Sequence, residues 1–316
     1  MGESPRPSPD AGTGESGARG SAASTRARVS VSEAGSWLTA RGAISLDRPR
    51  ILGILNVTPD SFWAGSRHAG VAEALAHAER LVEEGADLVD VGGESTRPGA
   101  TPVSVEEELA RVLPVVRELV RRWPDVPVSV DTVKSEVARA AIAEGAAVIN
   151  DVSGLRLDPR MAEVVADAGA GLILMHSRGT VERMASYELA RYGPDPVGEI
   201  AAELAEHLDH ARRAGIPAEC IVLDPGLGFA KRTEHSLSVL AHLDRILSLG
   251  RPVLVGPSRK RFVGEVAGGL PVEERLEGTI AACVAGLLNG ARLFRVHDLR
   301  PIRRALAVAE AIRNAS

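Results

Sequence analysis

Apolar runs of three to six residues, each cut off by polar ones and followed by a stretch of helical period, alternate along the chain from Ile51 onward. They lie at residues 51–56, 88–91, 128–131, 148–150, 171–176, 221–224, 252–256 and 293–296. Apolar residues fill nearly every position rather than every second one, the mark of parallel strands covered on both faces. The stretches between carry helical stripes: Val71, Leu75, Ala78 and Leu81; Leu237, Leu240, Leu243 and Ile246; Ile280, Val284 and Leu287. Gly85, Gly145, Gly169, Gly215, Gly250 and Gly290 fall where helices should close before the next strand. Pro114 predicts a kink in the second helical stretch, and residues 177–196, without a clear period, predict a mobile loop. Strand and helix in strict alternation predict an α/β fold, a (β/α)8 TIM barrel whose site lies at the carboxyl ends of the strands. A doubly wound open sheet is the rival, but no GxGxxG follows the first strand and the polar clusters end almost every run.

Two segments stand apart from that pattern. Residues 1–29 are Ser, Gly, Ala, Pro and Arg with almost no large apolar side chain, so they are expected to form a disordered low-complexity tail. Residues 30–316 then make the barrel domain, with Trp37 and Leu38 closing its bottom. The net charge of −5 offers no general attraction to nucleic acid or to an anionic membrane. Cys220 and Cys283 stand singly, which fits a reducing cytoplasm, and no run is long enough to span a membrane or to serve as a signal peptide.

The strand ends hold the chemistry. They carry Asn56, Glu94 to Arg97, Asp131, Asn150 with Asp151, Asp224, Ser258 to Lys260, and Arg295 with His297. Asp131, Asn150 and Asp224 offer acceptors suited to the paired N–H groups of an amino-pyrimidinone edge. Capping of the helix that follows is the lesser alternative for Asp131. Arg295 and His297 share one side of their strand, and two cations there would repel unless an anion lay between them, which points to phosphate or diphosphate. His297 could instead be a core histidine bonded to backbone, and Arg259 and Arg261 could pair with helix carboxylates. Asn56 can give one oxygen to a divalent cation, so Mg²⁺ would lean on ligand oxygens and water. Phe62 and Phe229, in loops beyond strand ends, could cover an aromatic ring or merely anchor their loops. His176 and Met175 are placed on the pocket floor. No nucleophile–base pair, His/Cys metal cluster or P-loop is present.

Taken in order, NVTPDSF, DVGGESTRPGA, SVDT, VINDVSG, LMHSRG, DPGLGF, SRKRF and RVHD resemble the dihydropteroate synthases, a pterin-binding TIM-barrel family, from about Trp37 to Ile312. The resemblance implies a transferase that condenses 6-hydroxymethyl-7,8-dihydropterin diphosphate with p-aminobenzoate, giving 7,8-dihydropteroate and diphosphate in folate biosynthesis. It implies that Asp131, Asn150, Asp224 and Lys260 hold the pterin beside Met175, that Asn56 ligates Mg²⁺ and that Arg295 and His297 bind diphosphate. Thr96, Arg97 and Pro98 would form a second loop that builds the p-aminobenzoate pocket with Phe62, Phe229, Lys260 and Arg261. Asp131, Lys260, Arg295 and His297 would act on the reaction itself, and the family implies a homodimer through the last helices, around Ala281, Ala285, Leu288, Ala305 and Ala309. One stretch departs from the family. Its first loop usually reads DSFSDGG, but here Trp63, Ala64 and Ser66 replace a small residue, Asp and Gly. If that Asp matters, Ala64→Asp should raise kcat with little change in diphosphate-substrate affinity. A catalytically weak pterin-binding paralogue is therefore the competing expectation.

Overall fold

The computed structural model describes residues 1–2, 35–58, 67–95 and 101–315. Nearly all of the expected tail, the first loop with Phe62, Trp63 and Ala64, and the second loop with Thr96, Arg97 and Pro98 lie outside the described residues.

The chain enters through a hairpin, β1 (Ser36–Thr39) and β2 (Gly42–Ser45). Eight parallel strands follow: β3 (Arg50–Asn56), β4 (Leu88–Gly92), β5 (Val128–Asp131), β6 (Val148–Asp151), β7 (Gly171–Met175), β8 (Ile221–Asp224), β9 (Leu254–Val255) and β10 (Leu293–Val296). Their order is β8-β7-β6-β5-β4-β3-β10-β9. A parallel bridge between Leu223 and Val253, with the Leu223 N–H on the Pro252 carbonyl at 2.9 Å, brings β8 against β9 and closes the ring. The expected barrel is therefore present and the open sheet is excluded. β9 is shorter than the apolar run 252–256 because prolines bound it. Neither Pro252 nor Pro257 has an N–H to give to a ladder.

Trp37 is fully buried and donates its indole N–H to the Cys220 carbonyl at 2.8 Å. It packs with Leu46 against Leu52, Leu88, Val148, Ile173, Val222, Leu254 and Leu293, the inward residues near the strand starts. The bottom is thus sealed by an aromatic plug, which leaves the carboxyl end of the barrel as the open face. Leu38, also expected in the plug, alternates to the other side of its strand and is exposed.

The helices bury their stripes against the outside of the strands, with two departures from the sequence pattern. Val239 is buried where Leu237 was expected to be, and the stripe is divided between helices Thr233–Ala241 and Asp244–Leu247. Helix Val105–Arg122 runs unbroken through Pro114. Ser104 caps it, accepting from the Glu107 N–H at 3.2 Å, and Val112, Val115, Val116 and Leu119 hold its inner face. Helix ends follow the glycines. Gly145 and Gly215 have φ of 100° and 91°, a turn in which a Cβ would be strained, and the other four expected glycines also have positive φ.

Candidate active site

The polar rim is built by strand register. Asn56 pairs with Gly92, Gly92 with Asp131, and Asp131 with Asn150, so four adjacent strands present these positions at one level. Gly92 lies between Asn56 and Asp131: a Cβ there would stand at 3.7 Å, an ordinary contact distance, from both Asn56 Oδ1 and Asp131 Cβ. The amide and the carboxylate can therefore face a common space.

Asp131 is not a helix cap. Helix Ser135–Ala143 has Lys134 at its N-cap with no side-chain cap bond, and the Ser135 N–H donates instead to Asp158 at 2.8 Å. The Asp131 carboxylate accepts from Arg295 Nη2 at 2.8 Å. The other arm of Arg295 goes to a residue that the strand ends did not reveal. Asp90, one layer down in β4 and fully buried, accepts from Arg295 Nε at 2.6 Å, from Ser129 Oγ at 2.6 Å and from Asn150 Nδ2 at 3.1 Å. A single Asp inside the apolar run LVDVG was the available signal, since a carboxylate there must find donors or not be charged.

One guanidinium thus bridges a fully buried carboxylate and a largely enclosed one. Burial works against the Arg295 charge, but Asp90 and Asp131 outweigh it and hold the group firmly cationic. The Asp131 carboxyl is pushed up to about 7, chiefly by burial, with Arg295 opposing the rise and Asp90 adding to it. His297 is satisfied differently: Nδ1 lies 2.9 Å from Ser258 Oγ, which also accepts the His297 N–H at 3.1 Å. Cationic repulsion between Arg295 and His297 consequently does not require an anion, because the protein's own groups partner both.

Across the barrel, Asp224 is buried and accepts the Gly226 N–H at 2.7 Å. Its carboxyl is raised by burial, an effect the neighbouring Lys260 opposes. Lys260 in turn is lowered to about 8, mainly by burial, while Asp224 pulls it back up. Its ammonium donates to the Leu227 carbonyl at 2.5 Å and lies 4.4 Å from the centre of the Phe229 ring, a cation–π contact. Gly228, at φ 76°, leaves room for the lysine stem: a Cβ there would lie 3.3 Å from Lys260 Cδ. Met175, Val133, Val152 and Met184 form a small apolar cluster on which Phe229 packs.

Other expected groups turn elsewhere. Asp151 accepts from the N–H groups of Ser153 and Leu155 at 2.8 and 2.9 Å and shapes its own turn. Arg259 pairs with Asp298 at 2.6 Å, as an ion pair would have it, whereas exposed Arg261 stacks on Tyr187 at 4.4 Å. His176 does not line the pocket floor; it is fully buried and engages Lys231 and Glu203. Residues 177–196 contain a short helix, Val181–Met184, and are tied down by the Ala230 N–H on the Met184 carbonyl and Tyr192 Oη on the Ala230 carbonyl. Glu94 accepts the Val103 N–H at 2.8 Å and is held also by Lys134 Nζ at 2.8 Å.

A closed parallel barrel with carboxylates, an amide, a lysine and an arginine converging on its open face defines a binder of a small polar heterocycle. Residues 52–297 match the model of the family described as "Pterin binding enzyme". The dihydropteroate synthase of Synechocystis is 42% identical over 265 residues, which cover 84% of this chain and 90% of that protein. Among solved structures, Xanthomonas albilineans dihydropteroate synthase with 4-aminobenzoic acid superposes with a TM-score of 0.81 at 47% identity, covering 88% of this chain and 98% of that one. The same enzyme in complex with 7,8-dihydropteroate gives a TM-score of 0.77 at 45% identity, covering 86% and 96% of the respective chains. The chain belongs to the dihydropteroate synthase family.

Proposed function

We infer that the chain joins 6-hydroxymethyl-7,8-dihydropterin diphosphate to p-aminobenzoate, releasing 7,8-dihydropteroate and diphosphate. The observation that carries this reading is the rim itself: Asp131, Asn150, Asp224 and Lys260 converge on one open face, with Arg295 tied beneath them to Asp90. Asp131, Asp224 and the Asn150 amide oxygen accept from the pterin's amino and ring N–H groups, while Lys260 donates to its ring acceptors. As diphosphate leaves, positive charge spreads over the pterin, and the carboxylates beneath it stabilise that charge. The aniline nitrogen then forms the new C–N bond and loses its proton to water. It is weakly basic, so no strong general base is needed. Phe229 and Arg261, with Phe62, Thr96, Arg97 and Pro98, complete the p-aminobenzoate pocket, and His297 with Arg295 receives the diphosphate.

Asn56 fits a Mg²⁺ held mostly by the substrate. Its amide is half-exposed at the rim beside Asp131, and no cluster of three His, Cys, Asp or Glu groups suited to a metal exists among the described residues. The ion, when bound, offsets charge on the departing diphosphate.

The test is p-aminobenzoate-dependent diphosphate release with both substrates and Mg²⁺. Release no faster than background, with pterin binding retained, would favour the weak paralogue that Ala64 suggests.

Asp131 adds a pH dependence. Its folded pKa, about 7, exceeds the ordinary 3.8. Its contribution to stability is therefore full below the unfolded value and is lost as pH rises through the folded one. Ligand affinity runs the other way, because the ionised carboxylate accepts paired N–H bonds at both oxygens and the protonated group gives one of them up to a hydrogen. Calorimetric affinity for the pterin alcohol should strengthen as pH rises from about 5.5 towards 8, by at most about tenfold per unit. In Asp131→Asn that slope should vanish, and an unchanged slope would assign it to another group.

A homodimer fits the last two helices, Leu276–Leu288 and Leu299–Asn314. Leu288, Val308 and Ile312 are 53%, 62% and 65% exposed, an apolar surface suited to a second copy, while Ala309 is spent inside the protomer. Light scattering should return the mass of two chains. A cytoplasmic setting agrees with two buried free thiols. No described helix is long and apolar enough to cross a membrane.

A further inference from the structure

Lys231 is fully buried, although lysine is seldom so without a defined task. Its amine nitrogen, whose pKa burial holds well below the ordinary lysine range with Asp224 opposing, contacts two groups: His176 Nδ1 at 2.7 Å and the Phe229 carbonyl at 3.1 Å. His176, also fully buried, places Nε2 3.0 Å from Glu203 Oε2. Glu203 is gripped by Arg178, whose Nε donates to Oε2 at 3.0 Å. Arg178 donates on to the Arg191 carbonyl at 2.6 Å and stacks on Tyr192 at 4.0 Å. Tyr192 returns to the start, its hydroxyl donating to the Ala230 carbonyl at 3.0 Å. The bonds make a closed loop through the segments after β7 and β8 and helix Pro196–Arg213.

One arrangement of protons satisfies it. Lys231 donates to both its acceptors, so His176 accepts at Nδ1 and carries its hydrogen on Nε2, aimed at Glu203. Burial above all keeps the ring neutral, lowering its pKa to about 3. Within the segment being held, Gly226 and Gly228 take φ of 66° and 76° freely, but Ala230 is held at φ 46°, a left-handed conformation that a side chain disfavours. A Cβ at Gly226 would sit 2.0 Å from the His176 carbonyl, so the two segments touch with no room to slide.

We propose that Lys231 is a positioning residue for the second substrate, acting through the Phe229 carbonyl and His176 to fix the Phe229 ring beside Lys260. This rests on the reading of Phe229 as a wall of the p-aminobenzoate pocket. Lys231 meets neither substrate. Its effect passes through the backbone at Phe229, so it falls on one substrate rather than on both.

In Lys231→Met the KM for p-aminobenzoate should rise about fivefold or more, the scale of one well-placed hydrogen bond. The KM for the pterin diphosphate and kcat should stay within about twofold. Introduced into Phe229→Ala, the same change should add almost nothing, because the ring it positions is gone. Equal rises in both KM values, or additive effects in the double variant, would overturn the proposal in favour of general support of the fold. A second pair covers a Lys231→Met protein that does not fold. His176→Asn keeps an acceptor near the Nδ1 position and should retain the wild-type KM for p-aminobenzoate, whereas His176→Leu should raise it. Identical behaviour of the two would also overturn it. Fluorine NMR of 4-fluorophenylalanine at position 229 reads the ring without turnover. One sharp line should broaden or split in Lys231→Met or His176→Leu, and an unchanged line would count against Lys231 even if wild-type turnover failed and sank the functional reading.

Discussion

Arg295→Met is expected to cost about 3–5 kcal/mol of folding stability near neutral pH and to weaken binding of both the pterin alcohol and its diphosphate. The reason is the bridge. Arg295 is the cation bonded to Asp90, which is fully buried, and to Asp131, whose side chain is 12% exposed. Removing it leaves two carboxylates facing each other at low solvent exposure, and taking up a proton relieves only part of that cost. The loss should therefore grow as pH rises, and Tm should fall by roughly 6–15 °C. Because Asp131 and Asn150 are oriented through the same network, the alcohol loses affinity although it carries no phosphate. Any further loss seen with the diphosphate substrate measures a direct contact to Arg295. Tm and alcohol affinity at wild-type levels, with the loss confined to the diphosphate, would mean that the bridge is idle and that Arg295 serves the anion alone.

That expectation differs from what the sequence supports, and the difference is instructive. The barrel was legible because each parallel strand is buried on both faces and so is written as a continuous apolar run. Its carboxyl-terminal rim was legible because each run stops at a polar cluster. Asp131, Asn150 and Asp224 could be read for the same reason: they end strands, and register then sets the first two side by side. Asp90 could not be read this way, because it sits within a run and its role is defined by Arg295, 205 positions away. No local periodicity encodes such a pairing. For the same cause the repulsion between Arg295 and His297 was weighed without the two carboxylates and the serine hydroxyl that the closed sheet brings to them. Lys231 was hidden in a different manner. In GFAKRT it looks like any surface lysine, and only the packing of His176 behind it shows that it is enclosed. The first and second loops stand outside both kinds of inference: Ala64 and Thr96 lie beyond the described residues, and their part in the reaction rests on the family alone.

Asp224→Ala should abolish useful pterin affinity while leaving the barrel folded. Asp224 differs from Arg295 in what it supports. Among the described residues its carboxylate accepts one hydrogen bond, from the Gly226 N–H at 2.7 Å, in a turn already fixed by Pro225 and by the Phe229 N–H on the Gly226 carbonyl. No buried partner of opposite charge is stranded at hydrogen-bond distance when it goes, so Tm should move little. Binding is another matter. A charged acceptor for paired N–H donors is lost, and those donors are buried against the alanine without partners. Comparable truncations cost roughly 2–5 kcal/mol, or about 30-fold to several thousand-fold in Kd. A second consequence follows at Lys260, whose pKa of about 8 is already lowered by burial and is sustained by the Asp224 charge. Without that charge the lysine should lose its proton more easily. The residual activity of Asp224→Ala should accordingly decline at lower pH than that of the wild type, because the group donating to the pterin's ring acceptors is then neutral. Titration calorimetry with the pterin alcohol and a thermal melt decide the first part. Affinity within a factor of about two of wild type would remove Asp224 from the pterin site. A large fall in Tm accompanying the loss would instead make it a structural residue of the rim.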